Sequence, residues 1–208
     1  MIEYFLAIFI PLFIIVNPSS TLALFSAITS KFTKEKRIRT AKNAVIYAGI
    51  LLIIFAFAGS AILSFLQIHI YSLRIAGGIL LAFVGLDMTR RGQQFGESPP
   101  GKEQKADFAL VPLAMPSLSG PGAITVTIVS MQTITDISWT IRIAFTIVAI
   151  LITMLITFLI FLSSGFVIKA LGKKGMDAFT RVMGLLTVAI AIQFALTGLA
   201  SWISSLNI

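Results

Sequence analysis

Of 208 residues, 57% are hydrophobic and 12% charged, and the mean hydropathy is +0.99, which leaves too little polar side chain to coat a soluble globule, where roughly 25% of residues carry charge. No cysteine is present, so disulfides and thiolate metal sites are excluded. The net charge of +8 does not point to nucleic acid, because the basic residues lie between apolar runs and no face interleaves them with aromatics.

Those runs are roughly twenty residues long, enough to cross a hydrocarbon core of about 30 Å at about 1.5 Å per residue. Six spans are predicted. The first covers Tyr4 to Ile28 and is interrupted at Asn17-Pro18. It follows Glu3 with no basic lead-in and outruns a signal-peptide core, so it is expected to persist as a helix. A basic connection, Lys31 to Lys42, leads to the second span, Asn43 to Leu66. After a turn over Gln67 to Ser72, which holds the sole histidine, His69, the third span covers Leu73 to Met88. Thr89 to Asp107, with Gly92, Gly96, Pro99, Pro100 and Gly101, reads as a loop. The fourth span, Phe108 to Gln132, contains Pro112, Pro116, Pro121 and Gly122. The fifth covers Trp139 to Ile168, and a turn over Gly172, Lys173, Lys174 and Gly175 precedes the sixth, Phe179 to Ser204.

The connections after spans one, three and five carry nearly all the lysine and arginine, and only Arg74 and Arg142 fall on the other side. Positive charge stays in the cytoplasm, so both termini are expected outside and the three basic connections inside.

The two halves resemble each other. A shift of about 103 residues places Asn17-Pro18 on Gly120-Pro121 and Pro11-Leu12 near Pro112-Leu113, and sets Arg39 and Ala41 on Arg142 and Ala144. Arg74, Gly77 and Ala82 of span three recur in span six as Arg181, Gly184 and Ala189. Three spans per half is an odd number, so the halves must enter the membrane in opposite directions. The predicted fold is therefore an all-α membrane protein, six helices in two inverted three-helix repeats, with helices one and four broken. It forms one integral membrane domain, residues 1–208: repeat one 1–89, a cytoplasmic loop 90–107 and repeat two 108–208.

Paired broken helices at matching positions are the usual plan of secondary transporters, with the solute near the midplane between the halves. After each break a half-helix begins with free N–H groups and a positive dipole end, which favours a carboxylate or another anion. Asn17, Pro18, Ser19 and Ser20, with Thr21, are the candidate binding residues of the first break. Ser119, Gly120, Pro121 and Gly122, with Ser117, are those of the second. Together they are expected to form a polar pocket the size of a small zwitterion. Asp87, Gln193, Arg74 and Arg181 are the candidates for coupling or gating. Asp87 is equally open to pairing with Arg90 or Arg91, and Gln193 to bridging helices. Gly184, Ala191, Ala195 and Gly198 share one face of span six, a stripe suited to helix packing from which Gln193 points away.

Several of these elements carry a family resemblance: Asn17-Pro18 with Phe25, Arg74-Ile75-Ala76-Gly77-Gly78-Ile79 followed by Leu86-Asp87-Met88, Pro116 through Gly120-Pro121-Gly122-Ala123-Ile124, and Arg181-Val182-Met183-Gly184 with Gln193-Phe194. Over nearly its whole length the chain resembles the MarC family of integral membrane proteins, which includes SnatA-type neutral amino-acid transporters and is similar to the LysE-type exporters. The resemblance implies a six-helix inner-membrane protein that moves small neutral amino acids such as glycine and alanine, driven by an ion gradient. Ser20 and Ala23 stand where the family often has glycine and proline, so the first half-helix is expected to be shaped differently.

No lysine, histidine or cysteine lies deep in a span, so an intramembrane enzyme is not expected, nor is a metal or cofactor. The expected partners are a small-molecule solute and the lipid bilayer; association with further copies of the chain stays open. The competing reading is a non-transporting scaffold or accessory subunit, for which matched breaks have no evident purpose.

Overall fold

The computed structural model describes residues 1–91, 109–133 and 137–206, and its regular structure is helical. The helices are α1 (Ile2–Val16), α2 (Pro18–Thr29), α3 (Lys34–Phe65), α4 (Ile70–Arg91), α5 (Ala109–Leu118), α6 (Pro121–Thr133), α7 (Trp139–Leu162) and α8 (Ser164–Ser205). Five stretches are long and apolar enough to cross a membrane: Ile2–Thr29, Lys34–Phe65, Ile70–Arg90, Trp139–Leu162 and Lys174–Ser205. A sixth is added if α5 and α6, bent by 55° at their junction, count as one interrupted span. The predicted loop lies outside the described residues from position 92 onward.

The first break has a local cause. The ring of Pro18 disfavours right-handed helix at the preceding residue, and Asn17 takes the left-handed conformation instead, φ 42° and ψ 72°. Pro18 then opens α2 at a position where its missing N–H costs nothing. Asn17→Leu is expected to cost about 1 kcal/mol in detergent unfolding, since a bulky side chain tolerates left-handed backbone poorly, while Asn17→Gly should keep the break. A leucine variant as stable as the parent would contradict this account.

Three boundaries differ from the sequence reading. The Lys31–Lys42 connection is helical from Lys34, because Thr33 caps α3: its Oγ1 accepts from Lys36 N at 3.3 Å, and Glu35 sits in the first turn. The predicted turn at Gly172–Gly175 reduces to one left-handed glycine, Gly172 at φ 63°, with helix on both sides. The fifth span also ends earlier, at Leu162, and α8 starts at Ser164.

α4 and α8 form the most extensive helix pair. They run antiparallel: Gly85 faces Gly184, Gly78 faces Ala191, and Gly198 faces Tyr71 and Arg74. Lipid tails are as apolar as the side chains, so helices in a membrane gain by close packing rather than by the hydrophobic effect, and small residues let the backbones approach. The stripe Gly184, Ala191, Ala195 and Gly198 serves this contact. Arginines fasten both ends of the pair. Arg74 Nη1 donates to Ser201 Oγ at 3.2 Å, and Arg181 Nη1 donates to Thr89 O at 2.8 Å.

α3 packs on α5, α6 and α7, and α1 packs on α6 and α7. At the basic end Phe25 of α2 stacks on Phe161 of α7 with ring centroids 4.4 Å apart, Arg37 of α3 lies over the Phe25 ring, and Arg37 donates to Ser164 Oγ. At the other end Arg142 Nη1 donates to Met131 O at 2.8 Å, meeting a carbonyl in the last turn of α6.

Candidate functional site

The second break is built by three prolines. Val111 (φ −129°, ψ 124°) and Met115 (φ −128°, ψ 127°) are extended, and each immediately precedes a proline, Pro112 or Pro116. α5 is therefore an irregular helix, interrupted at these two residues. Its freed carbonyl at Ala114 accepts from both Ser119 N at 2.9 Å and Ser119 Oγ at 2.8 Å. Gly120 follows, pressed so closely against Pro116 that a Cβ there would collide with the Pro116 carbonyl oxygen. α6 then begins at Pro121, with Ile124 N donating to Gly120 O at 3.1 Å. Pro11, aligned with Pro112 in the sequence comparison, sits inside an unbroken α1. The two halves thus share the break before α2 and α6 but not the irregular backbone that precedes it in the second half.

Beside this bend lies a cavity of about 480 Å³, within the roughly 300–1,000 Å³ range of small-molecule sites. Ile15 of α1 forms one wall. Leu80, Leu81, Phe83, Val84 and Asp87 of α4 form another, and Pro116, Ser117, Gly120, Pro121, Gly122 and Ala123 supply the rest. Phe83 is 65% exposed on the outer face of α4, so the cavity reaches the side of the bundle that faces lipid.

The structure brings together Gly120, Pro121, Gly122 and Asp87 from the predicted set, with Ser117. The polar residues of the first break do not line the cavity. Asn17, Pro18 and Ser20 are buried behind Ile15, Ser19 Oγ donates to Asn17 Oδ1 at 2.6 Å, and Ser119 is turned to Ala114. In place of a polar pocket between two half-helix ends, the structure has a largely apolar cavity at one of them, and the first break turns its polar side chains into the bundle interior. Two buried polar atoms near the breaks, Asn17 Nδ2 and Ser117 Oγ, have no hydrogen-bond partner among the described residues. Each carries a desolvation cost of about 1–3 kcal/mol.

The remaining candidates are elsewhere. Arg74 and Arg181 clamp α4 to α8, and Gln193 is exposed on α8 away from the cavity. The apolar lining, Ile15, Leu80, Leu81, Phe83 and Val84, was not singled out in the sequence. Within a run of twenty apolar residues, nothing distinguishes a cavity wall from a lipid-facing or core position.

Helices long and apolar enough to cross a bilayer, with a bent pair beside a cavity, define a polytopic membrane protein. The chain belongs to the MarC family of integral membrane proteins, whose model matches residues 2–203. A membrane protein of Methanocaldococcus jannaschii is 39% identical over 202 residues, covering 95% of this chain and 97% of the relative. A second from that organism is 32% identical over 212 residues, covering 100% and 92%. The inner membrane protein MarC of Escherichia coli O1:K1 is 32% identical over 214 residues, covering 96% of each chain. No solved structure matches the chain.

Proposed function

We propose that this protein is a secondary transporter of small neutral amino acids of the glycine and alanine type, working by alternating access around the cavity at the second break. The observation that carries the reading is the composition of that cavity. The amide-bearing start of α6 at Gly122 and Ala123 stands on one wall, the carboxylate of Asp87 on another, and apolar side chains line the rest. A zwitterion fits this chemistry: its carboxylate at the positive helix end, its ammonium toward Asp87, a short apolar side chain against Leu80 and Leu81. The inverted-repeat plan is supported by the matched starts of α2 and α6 at Pro18 and Pro121 and by the antiparallel pairing of α4 with α8. On this reading the chain is no enzyme, it resides in the cytoplasmic membrane as the name of the Escherichia coli relatives says of them, and both termini are outside.

The test is counterflow in proteoliposomes. Preloaded alanine should drive uptake of labelled glycine, and Asp87→Asn should slow it by about tenfold, the loss of one charge-assisted contact of about 1.4 kcal/mol. Liposomes that exchange no small neutral amino acid, with or without an ion gradient, would favour the scaffold reading instead.

A further inference from the structure

α8 turns its glycine face to α4. The opposite face carries Leu186, Ala189, Gln193, Leu196 and Ala200, all exposed. Gln193 is twelve residues from Arg181 and eight from Ser201, the residues that mark the two fastened ends of the pair. It therefore lies about 18 Å from one end and about 12 Å from the other, well inside a hydrocarbon core of about 30 Å. Its side-chain amide has no hydrogen-bond partner among the described residues, and its backbone carbonyl accepts from Thr197 Oγ1 at 2.8 Å. A carboxamide in hydrocarbon without a partner is costly, and this side chain is too short to reach either interface.

We propose that this face of α8 is the contact with a second copy of the chain, related by a two-fold axis along the membrane normal, with the two Gln193 amides bonded to each other at its centre. A carboxamide both donates and accepts, so it is its own complement under two-fold symmetry. An acyl chain offers neither group. Ala189, one turn before Gln193, and Ala200, two turns after it, leave room for two helix backbones to approach, and Leu186 and Leu196 fill the flanks. The face holds no charged side chain, so identical copies do not repel. The proposal is independent of what the cavity carries.

The absence of native cysteine makes the test clean, because any introduced cysteine is the sole one. Ala189→Cys should form a disulfide-linked dimer when native membranes are oxidised, and Leu151→Cys, exposed on α7 away from this face, should not. Adding Gln193→Leu to the Ala189→Cys background should lower the dimer yield by about three- to tenfold, as expected for losing an interhelical amide bond in lipid; Gln193→Asn should retain more of it. Subunit counting in lipid nanodiscs should find two copies of the parent protein. Equal yields at positions 189 and 151, a yield unmoved by Gln193→Leu, an adduct with a different protein, or single-copy particles whose α8 face is covered by lipid alone would each overturn the proposal.

Discussion

Gly122→Val is expected to lower solute exchange at least tenfold while the protein still reaches the membrane in normal amount. Gly122 is buried on the cavity wall, and a Cβ there would lie 2.6 Å from Leu81 Cδ2 and 3.2 Å from Ile15 Cγ2. Leu81 Cδ2 is the far end of a flexible side chain whereas Ile15 Cγ2 sits on a stiff β-branched carbon, and because both side chains line the cavity the added bulk takes up space there. The cost to the fold should stay near the low end of the roughly 1–3 kcal/mol typical of overpacking, and the loss should appear as lost volume for the solute. Gly120 is the contrasting case. A Cβ there meets the carbonyl oxygen of Pro116, which belongs to the backbone of the bend and cannot swing aside. Gly120→Ala should therefore reduce folded yield along with exchange. Counterflow rates normalised to monodisperse protein separate the two outcomes. Parental rates in Gly122→Val would remove the cavity from consideration as the solute path.

The second large effect falls on stability. Gly85→Val should destabilise the protein by about 3 kcal/mol, the upper range for forced overpacking, and lower the melting temperature in detergent by several degrees. A Cβ at Gly85 lies 2.8 Å from Gly184 O and 2.9 Å from Val188 N, so backbone meets backbone and no rotamer change relieves the contact. α4 would have to stand away from α8 along its length, loosening the bonds from Arg74 to Ser201 and from Arg181 to Thr89. Gly165→Ala is the control, because nothing lies within 4 Å of a Cβ there; it should be neutral, or slightly stabilising because alanine is the better helix former. A melting temperature unchanged in Gly85→Val would mean that the two helices are not held by close approach.

Features encoded by the backbone chemistry of single residues were legible in the sequence. Asn17-Pro18 and Gly120-Pro121 mark breaks because a proline disfavours helix at its predecessor, although Pro11 lies within a continuous α1. The small-residue face of α8 was equally readable as packing, since its spacing repeats with the helix. Its partner glycines, Gly78 and Gly85, carried no such mark, because two positions seven apart are too few to define a stripe. The start of α3 was misplaced because its charges, Lys34 to Lys42, were read as a loop, although the threonine cap at Thr33 was there to be seen. The cavity was half legible. Gly120, Pro121, Gly122 and Asp87 were named from their own chemistry, whereas Ile15, Leu80 and Phe83 belong to it only through the way α1 and α4 lean on the bend. Asn17 and Ser20 lie outside the cavity lining for the complementary reason: a polar residue at a break must be satisfied, and nothing local says whether by a solute or by the bundle.

The early start of α3 has a mechanical consequence. Its 32 residues extend about 48 Å, well beyond a hydrocarbon core of about 30 Å. The excess is mostly the stretch from Lys34 to Lys42, whose five cationic side chains are at home among phosphate headgroups and cannot be drawn deeper. At the far end stand Phe65, 87% exposed, and Leu66, neither of them charged. The helix is thus moored at one end only. In a thinner bilayer the charged collar should hold its level, and the aromatic tip should rise into water, so that the protein meets changes of membrane thickness asymmetrically.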